Sequence, residues 1–184
     1  MEYSSREITL ENGRHAVIRS AIPKDAEMLL RYLKATASET PFLLRYPDEI
    51  CMTVEEERAF IQHMIESTRD LMLIAEIDGE HAGNASFSSC GSMQRTRHRC
   101  NVAIALYRKY WGIGLGRAML KTLTEAAKEN GFEQAELQVC TGNTRAIALY
   151  QELGFTICGT LPHSMKYRDG SYADEYTMVK SLLE

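Results

Sequence analysis

The chain reads as a mixed α/β protein of the α+β kind. We expect a three-layer domain, with a central mixed sheet of about seven strands and helices on both faces. Three observations predict this class. Segments of period two and of period 3.6 follow one another in the order β-α-α-β-β-β-α-β-α-β-β. Short antiparallel returns, such as Asp78-Gly79, stand beside a helix-length crossover between Leu106 and Ala135. Three glycines at alternate positions, Gly112, Gly114 and Gly116, separate an apolar strand from a helix.

Each element has a local signal. Ala16 to Arg19 is a first strand, and Ile22-Pro23-Lys24-Asp25 opens a helix with Asp25 as cap or first-turn acid. Met28, Leu29, Tyr32 and Leu33 continue it at helical spacing. Thr40 to Pro47 breaks the pattern and reads as a loop. Thr53-Val54-Glu55-Glu56 is a capping box that starts a second helix through Ile65. Leu71 to Ile77 and Ala82 to Ser88 are strands around the Asp78-Gly79 turn. Arg95 to Arg99 is a polar connection or strand start leading into Val102 to Leu106. Leu115, Met119, Leu123 and Ala126 form one apolar stripe, which Asn130-Gly131 ends. Ala135, Leu137 and Val139 alternate as a strand. Asn143 opens a helix with Ala146, Leu149, Tyr150 and Leu153 on one face, stopped by Gly154. Phe155 to Leu161 and Tyr172 to Lys180 are the last strands, with a turn at Arg168 to Ser171.

A chain of 184 residues without repeat or linker is one domain, 1–184. Its net charge of −4 excludes a non-specific nucleic-acid binder. No apolar run reaches the ~20 residues of a membrane helix, and the polar start is no signal peptide, so we expect a cytoplasmic protein. The five cysteines never fall as Cys-x-x-Cys, and the five histidines show no ligand spacing, so no metal is expected.

The glycine loop puts backbone amides at a helix start, which suits an anion. Gly116 is followed by Arg117-Ala118, so the Lys-Ser/Thr pair of a nucleotide-hydrolysing loop is missing. The third glycine comes one residue early for a dinucleotide fingerprint, and Glu136 falls inside its strand. What remains is a loop that holds a phosphate or diphosphate by amides and leaves it intact. Arg108, Lys109, Arg117 and Lys121 form a positive patch beside it, or a solvated helix start.

Two segments carry a family likeness: Ile104 through Gly116, and Asn143-Thr144-Arg145-Ala146-Ile147-Ala148-Leu149-Tyr150 closing with Leu153-Gly154-Phe155. In order and at this spacing they resemble the GNAT superfamily of acetyl-coenzyme A dependent N-acetyltransferases. Within it they resemble the ribosomal-protein-alanine and small-amine acetyltransferase branch. The opening Arg19 to Ala26 and the ending Asp169-Gly170, Asp174-Glu175 and Met178 are similar too.

The resemblance implies acetyl-CoA as cosubstrate and a small-molecule or peptide amine as acceptor. It implies that Ile104 and Leu106 pair with the pantetheine arm as a strand would. The amides of Trp111, Gly112, Ile113, Gly114, Leu115 and Gly116 cradle the pyrophosphate. Asn143 contacts the cofactor, and Tyr150 protonates the departing thiolate. The oxyanion formed in acyl transfer wants an amide donor, here the N–H of Leu106. Trp111 stands where relatives often carry Gln or Arg. No carboxylate lies in His98-Arg99-Cys100-Asn101, so water relayed by Asn101, His98, Glu76 or Asp174 are open candidates for the base.

Other roles stay open. Asn143 suits plain helix capping, and Tyr150 suits core packing. Cys140 is expected to be an inert thiol rather than an acyl carrier. Phe42, Leu43, Leu44 and Tyr46 line an acceptor pocket or pack on the core. The open sheet edges leave room for a homodimer. The competing function is a coenzyme A-binding sensor or catalytically silent member of the same fold. The loops that read the acceptor do not name it.

Overall fold

The structure is a computed structural model, and it describes residues 1–183. Its strands are β1 (Arg6–Thr9), β2 (His15–Ser20), β3 (Leu71–Ile77), β4 (Glu80–Ser89), β5 (Arg99–Leu106), β6 (Gln134–Cys140), β7 (Thr156–Lys166) and β8 (Tyr172–Ser181). Its helices are α1 (Ala26–Glu39), α2 (Val54–Glu66), α3 (Leu115–Glu129) and α4 (Thr144–Glu152). Hydrogen bonding orders the strands β1-β2-β3-β4-β5-β6-β8-β7, an open mixed sheet of eight. The eighth strand is β1, whose residues are mostly exposed and show no alternation to read.

Two compact units share the chain. The first takes residues Met1–Ser88 and Ala103–Leu123. Strands β1 to β4 are joined in it by antiparallel pairing, and β3 and β4 meet at Asp78-Gly79, both at positive φ. Met72 and Ile74 of β3 face α1 and α2, where Ala21, Ala26, Leu29, Tyr32 and Ile61 make a core. Leu71, Leu73 and Ala75 point to the opposite face and are fully buried as well. Both faces of β3 are therefore covered, as a three-layer arrangement requires.

The caps form where the residues call for them. Thr53 Oγ1 accepts from the Glu56 amide at 3.2 Å, and Glu56 Oε2 accepts from the Thr53 amide at 2.8 Å. Asp25 precedes α1 in a short 3-10 turn over Pro23–Asp25, where its carboxylate accepts from the Ile22 amide at 2.8 Å. It also pairs with Arg19, whose other nitrogen reaches Glu76 at 2.6 Å. Along α3, Leu115, Met119, Leu120 and Leu123 are all fully buried.

The second unit takes Ser89–Val102 and the chain from Thr124 onward. Here β5 runs parallel to β6 through three residue pairs, from Arg99 with Gln134 to Asn101 with Glu136. Arg99 grips the Glu136 carboxylate with two nitrogens. β8 lies antiparallel between β6 and β7. β7 runs past the expected end at Leu161 and through Pro162, with an irregularity between Leu161 and Met165. An edge strand can absorb a proline there, because its outer amide has no ladder to serve.

Candidate active site

In the first unit the site is built at the end of β5. The Tyr107 amide donates to the Ala82 carbonyl of β4 at 3.1 Å. Amides alternate sides along a strand, so the preceding N–H, that of Leu106, points to the edge away from β4. The carbonyl of the same peptide belongs to Ala105, and it accepts the Tyr32 hydroxyl at 2.6 Å. Tyr32 is only 1% exposed, and burial pushes its phenol well above the ordinary value. It packs edge-on against His81 at 4.7 Å and Tyr107 at 5.2 Å between ring centroids. His81 Nε2 meets Asn84 Oδ1 at 2.7 Å, and burial lowers the imidazole pKa.

The close approach of β4 and β5 depends on Gly83. A Cβ there would lie 2.6 Å from the Ala105 carbonyl oxygen and 2.9 Å from Leu106 Cα, distances real side chains do not tolerate.

The loop follows directly. A 3-10 turn over Arg108–Tyr110 leads into Trp111, whose amide closes on the Arg108 carbonyl at 3.1 Å. The Trp111 indole turns back and donates to the Leu106 carbonyl at 3.0 Å. The Trp111 amide and indole both shape the loop, and the indole engages the Leu106 carbonyl. Gly112 and Gly114 hold φ of 77° and 84°, a region costly to any residue with a Cβ. The first bond of α3 runs from the Ala118 amide to the Gly114 carbonyl at 3.1 Å. The amides of Leu115 and Gly116 precede it, at the open start of the helix.

This donor set suits a diphosphate. It offers amides at the positive end of a helix, with no lysine-hydroxyl pair to act on the phosphate. A carboxylate already lies there: Glu11 pairs with Arg117, and its Cγ is 3.2 Å from where a Gly114 Cβ would be. The expected cationic patch is accordingly partly neutralised, because Lys109 also binds Glu80 at 2.6 Å.

In the second unit, Asn143 caps α4, its Oδ1 accepting from the Ala146 amide at 3.3 Å. One face further along, Tyr150 is 8% exposed and stacks edge-on with Phe155 at 5.9 Å. Burial pushes its pKa up to about 12, so the phenol is protonated at neutral pH. Cys140 is buried, with its sulfur 3.9 Å from the Tyr167 hydroxyl.

The candidate bases separate. Glu76 is held by Arg19, and one oxygen of Asp174 accepts from the His163 amide at 2.7 Å. Asn101 is exposed, and His98 offers its carbonyl to the amides of Glu133 and Gln134. Of the loop residues proposed for an acceptor pocket, Phe42, Leu43 and Tyr46 are half-buried, while Leu44 is 85% exposed. Sequence reasoning missed Tyr32, His81 and Glu11 as neighbours of the site. Only helical spacing marked Tyr32, and nothing marked the other two.

A sequence model described as the acetyltransferase (GNAT) family matches residues 33–155, well over half of the chain and both motif segments. The chain belongs to this family. It is an acetyl-CoA-dependent N-acetyltransferase, with acetyl-CoA as cosubstrate. An N-alpha-acetyltransferase of Sulfurisphaera tokodaii is 32% identical over 131 residues, which cover 67% of this chain and 75% of that protein. Among solved structures, a GNAT-family acetyltransferase from Streptococcus pneumoniae superposes with a TM-score of 0.86. It is 32% identical and the match covers 90% of this chain and 99% of that one. A ribosomal-protein-alanine N-acetyltransferase from Brucella melitensis gives 0.79 at 26% identity, covering 89% and 98%. No helix among the described residues is long and apolar enough to cross a membrane.

Proposed function

We propose that residues 1–184 act as one N-acetyltransferase domain that moves acetyl from acetyl-CoA to a primary amine by direct attack in a ternary complex. The acceptor class is a protein N-terminus, an amino acid, a polyamine or a similar small amine. The observation that carries the reading is the direction of the Leu106 N–H, away from β4 at the end of β5, immediately before an amide-lined glycine turn. The family match runs continuously across segments of both compact units, which supports a single functional domain.

In this reading Ile104 and the N–H of Leu106 align the pantetheine arm as an added strand. Gly112 to Gly116 hold the pyrophosphate by backbone groups. The bound thioester supplies an activated acetyl group. The Leu106 N–H donates to the carbonyl oxygen as it becomes an oxyanion under attack by the neutral amine. Tyr150, kept protonated by burial, gives its proton to the thiolate as the carbon–sulfur bond breaks, and the proton lost by the amine nitrogen passes through water to restore the phenol. Asn143 orients the start of α4, on which Tyr150 sits.

Thiol release from acetyl-CoA, measured against a panel of peptides, amino acids and polyamines, tests the proposal. Turnover with at least one primary amine is expected. Calorimetric binding of coenzyme A without turnover on any of them would replace the enzyme with a binding module.

A further inference from the structure

We infer that Tyr32 is a positioning residue for acetyl transfer, acting through the single peptide that joins Ala105 to Leu106. The inference rests on the acetyl-transfer reading and deepens it.

One peptide group carries both ends of the argument. Its oxygen, on Ala105, receives the Tyr32 hydroxyl at 2.6 Å. Its N–H, on Leu106, points to the opposite edge of β5, where the acyl oxygen would be met. Carbonyl and N–H of a trans peptide are antiparallel and share one delocalised system. A strong donor on the oxygen draws electron density from nitrogen, and the N–H becomes a better donor. Hydrogen bonds in a chain polarise one another in this way, most of all in a dry interior. The surroundings here are dry. Tyr32 lies in the core of α1, α2 and β3, and rings of His81 and Tyr107 flank it. The chain of polarisation therefore runs from the Tyr32 hydroxyl through the peptide to Leu106.

The same bond fixes orientation. The next peptide is held at both ends, by the Trp111 indole on the Leu106 oxygen and by Ala82 on the Tyr107 amide. With Tyr32 on the Ala105 oxygen, two successive peptide planes cannot rotate. An oxyanion donor is useful only when it is aimed before the charge develops.

A core tyrosine could serve packing alone, and the test separates the two roles. Acetyl-CoA labelled with carbon-13 at the thioester carbonyl is bound to the wild-type protein, to Tyr32→Phe, and to protein with 3-fluorotyrosine in place of Tyr32. The carbonyl stretch is read by isotope-edited infrared difference spectroscopy. We expect a red shift on binding to wild type, a smaller one in Tyr32→Phe, and a larger one with the more acidic fluorophenol. Turnover should follow the same order, with kcat about tenfold lower in Tyr32→Phe and KM for acetyl-CoA within about twofold. A residue used only for packing would leave frequency and kcat blind to phenol acidity. If Tyr32→Phe does not fold, the comparison of tyrosine with fluorotyrosine still decides. Equal frequencies in proteins that all bind acetyl-CoA would overturn the role of Tyr32 alone. Failure of the wild type to bind acetyl-CoA in calorimetry would overturn the acetyl-transfer reading and this inference with it.

Discussion

The indole nitrogen of Trp111 and the carbonyl of Leu106 lie 3.0 Å apart, so the first residue of the glycine loop is tied by its side chain to the end of β5. The side chain at this position is therefore engaged by the end of β5. Trp111→Phe keeps a ring and removes the donor. A net hydrogen bond of about 1 kcal/mol predicts acetyl-CoA binding weaker by roughly fivefold, with little change in thermal midpoint. Titration calorimetry measures it; unchanged affinity would detach Trp111 from the site.

Tyr150→Phe should lower kcat by about a hundredfold while leaving the KM for acetyl-CoA in place. The alkaline behaviour has a definite sign. Burial raises the folded pKa to about 12, above the ordinary value near 10. The folded state therefore keeps its proton longer than the unfolded one. The associated stability is whole below pH 10 and is lost as pH rises toward 12, by roughly 2–3 kcal/mol. Denaturation at pH 9 and pH 11 should show wild type losing more than Tyr150→Phe. Parallel losses would contradict the assignment.

Gly83→Ala should damage both stability and activity. Its new methyl would lie 2.3 Å from Leu106 Cδ2 and within 3 Å of two backbone atoms of β5. The side-chain atom can move, but the backbone atoms move only with the strand. Overpacking of this kind costs about 1–3 kcal/mol. Urea midpoints read the cost, and a wild-type midpoint would mean that β4 and β5 are further apart than described.

Glu136 sets an acid limit on the second unit. The Arg99 guanidinium holds its carboxyl below the usual range, against an opposing effect of burial. A depressed folded pKa gives stability that is present above about 4.5 and lost as pH falls through the lower folded value. Glu136→Gln should cost about 1–2 kcal/mol at pH 7, discounted for the partial exposure of Arg99. The gap to wild type should close as pH falls below the lowered folded value. A gap independent of pH would assign the loss to packing.

Much of the fold was legible because its signals are short-range. Thr53 and Glu56 cap α2, Asp78-Gly79 turns β3 into β4, and Asn143 caps α4 as those residue types require. The glycine loop and the buried position of Tyr150 were legible for the same reason: both follow from spacing along a few residues. β1 was not legible, because an exposed edge strand of four residues needs no alternation. The length of β7 was hidden behind Pro162, which reads as a stop unless the strand is known to lie at an edge.

By itself, then, the chain of residues settled most of the helices and strands, though not β1 or the full length of β7, and which family pattern the segments follow. Packing alone decided that Tyr32 would meet the oxygen of Ala105, 73 residues away, and that Glu11 would sit beside Gly114. Caps and periodicities are written in neighbouring residues, whereas such meetings arise when whole layers close on one another. No local pattern encodes which distant carbonyl a buried hydroxyl will find.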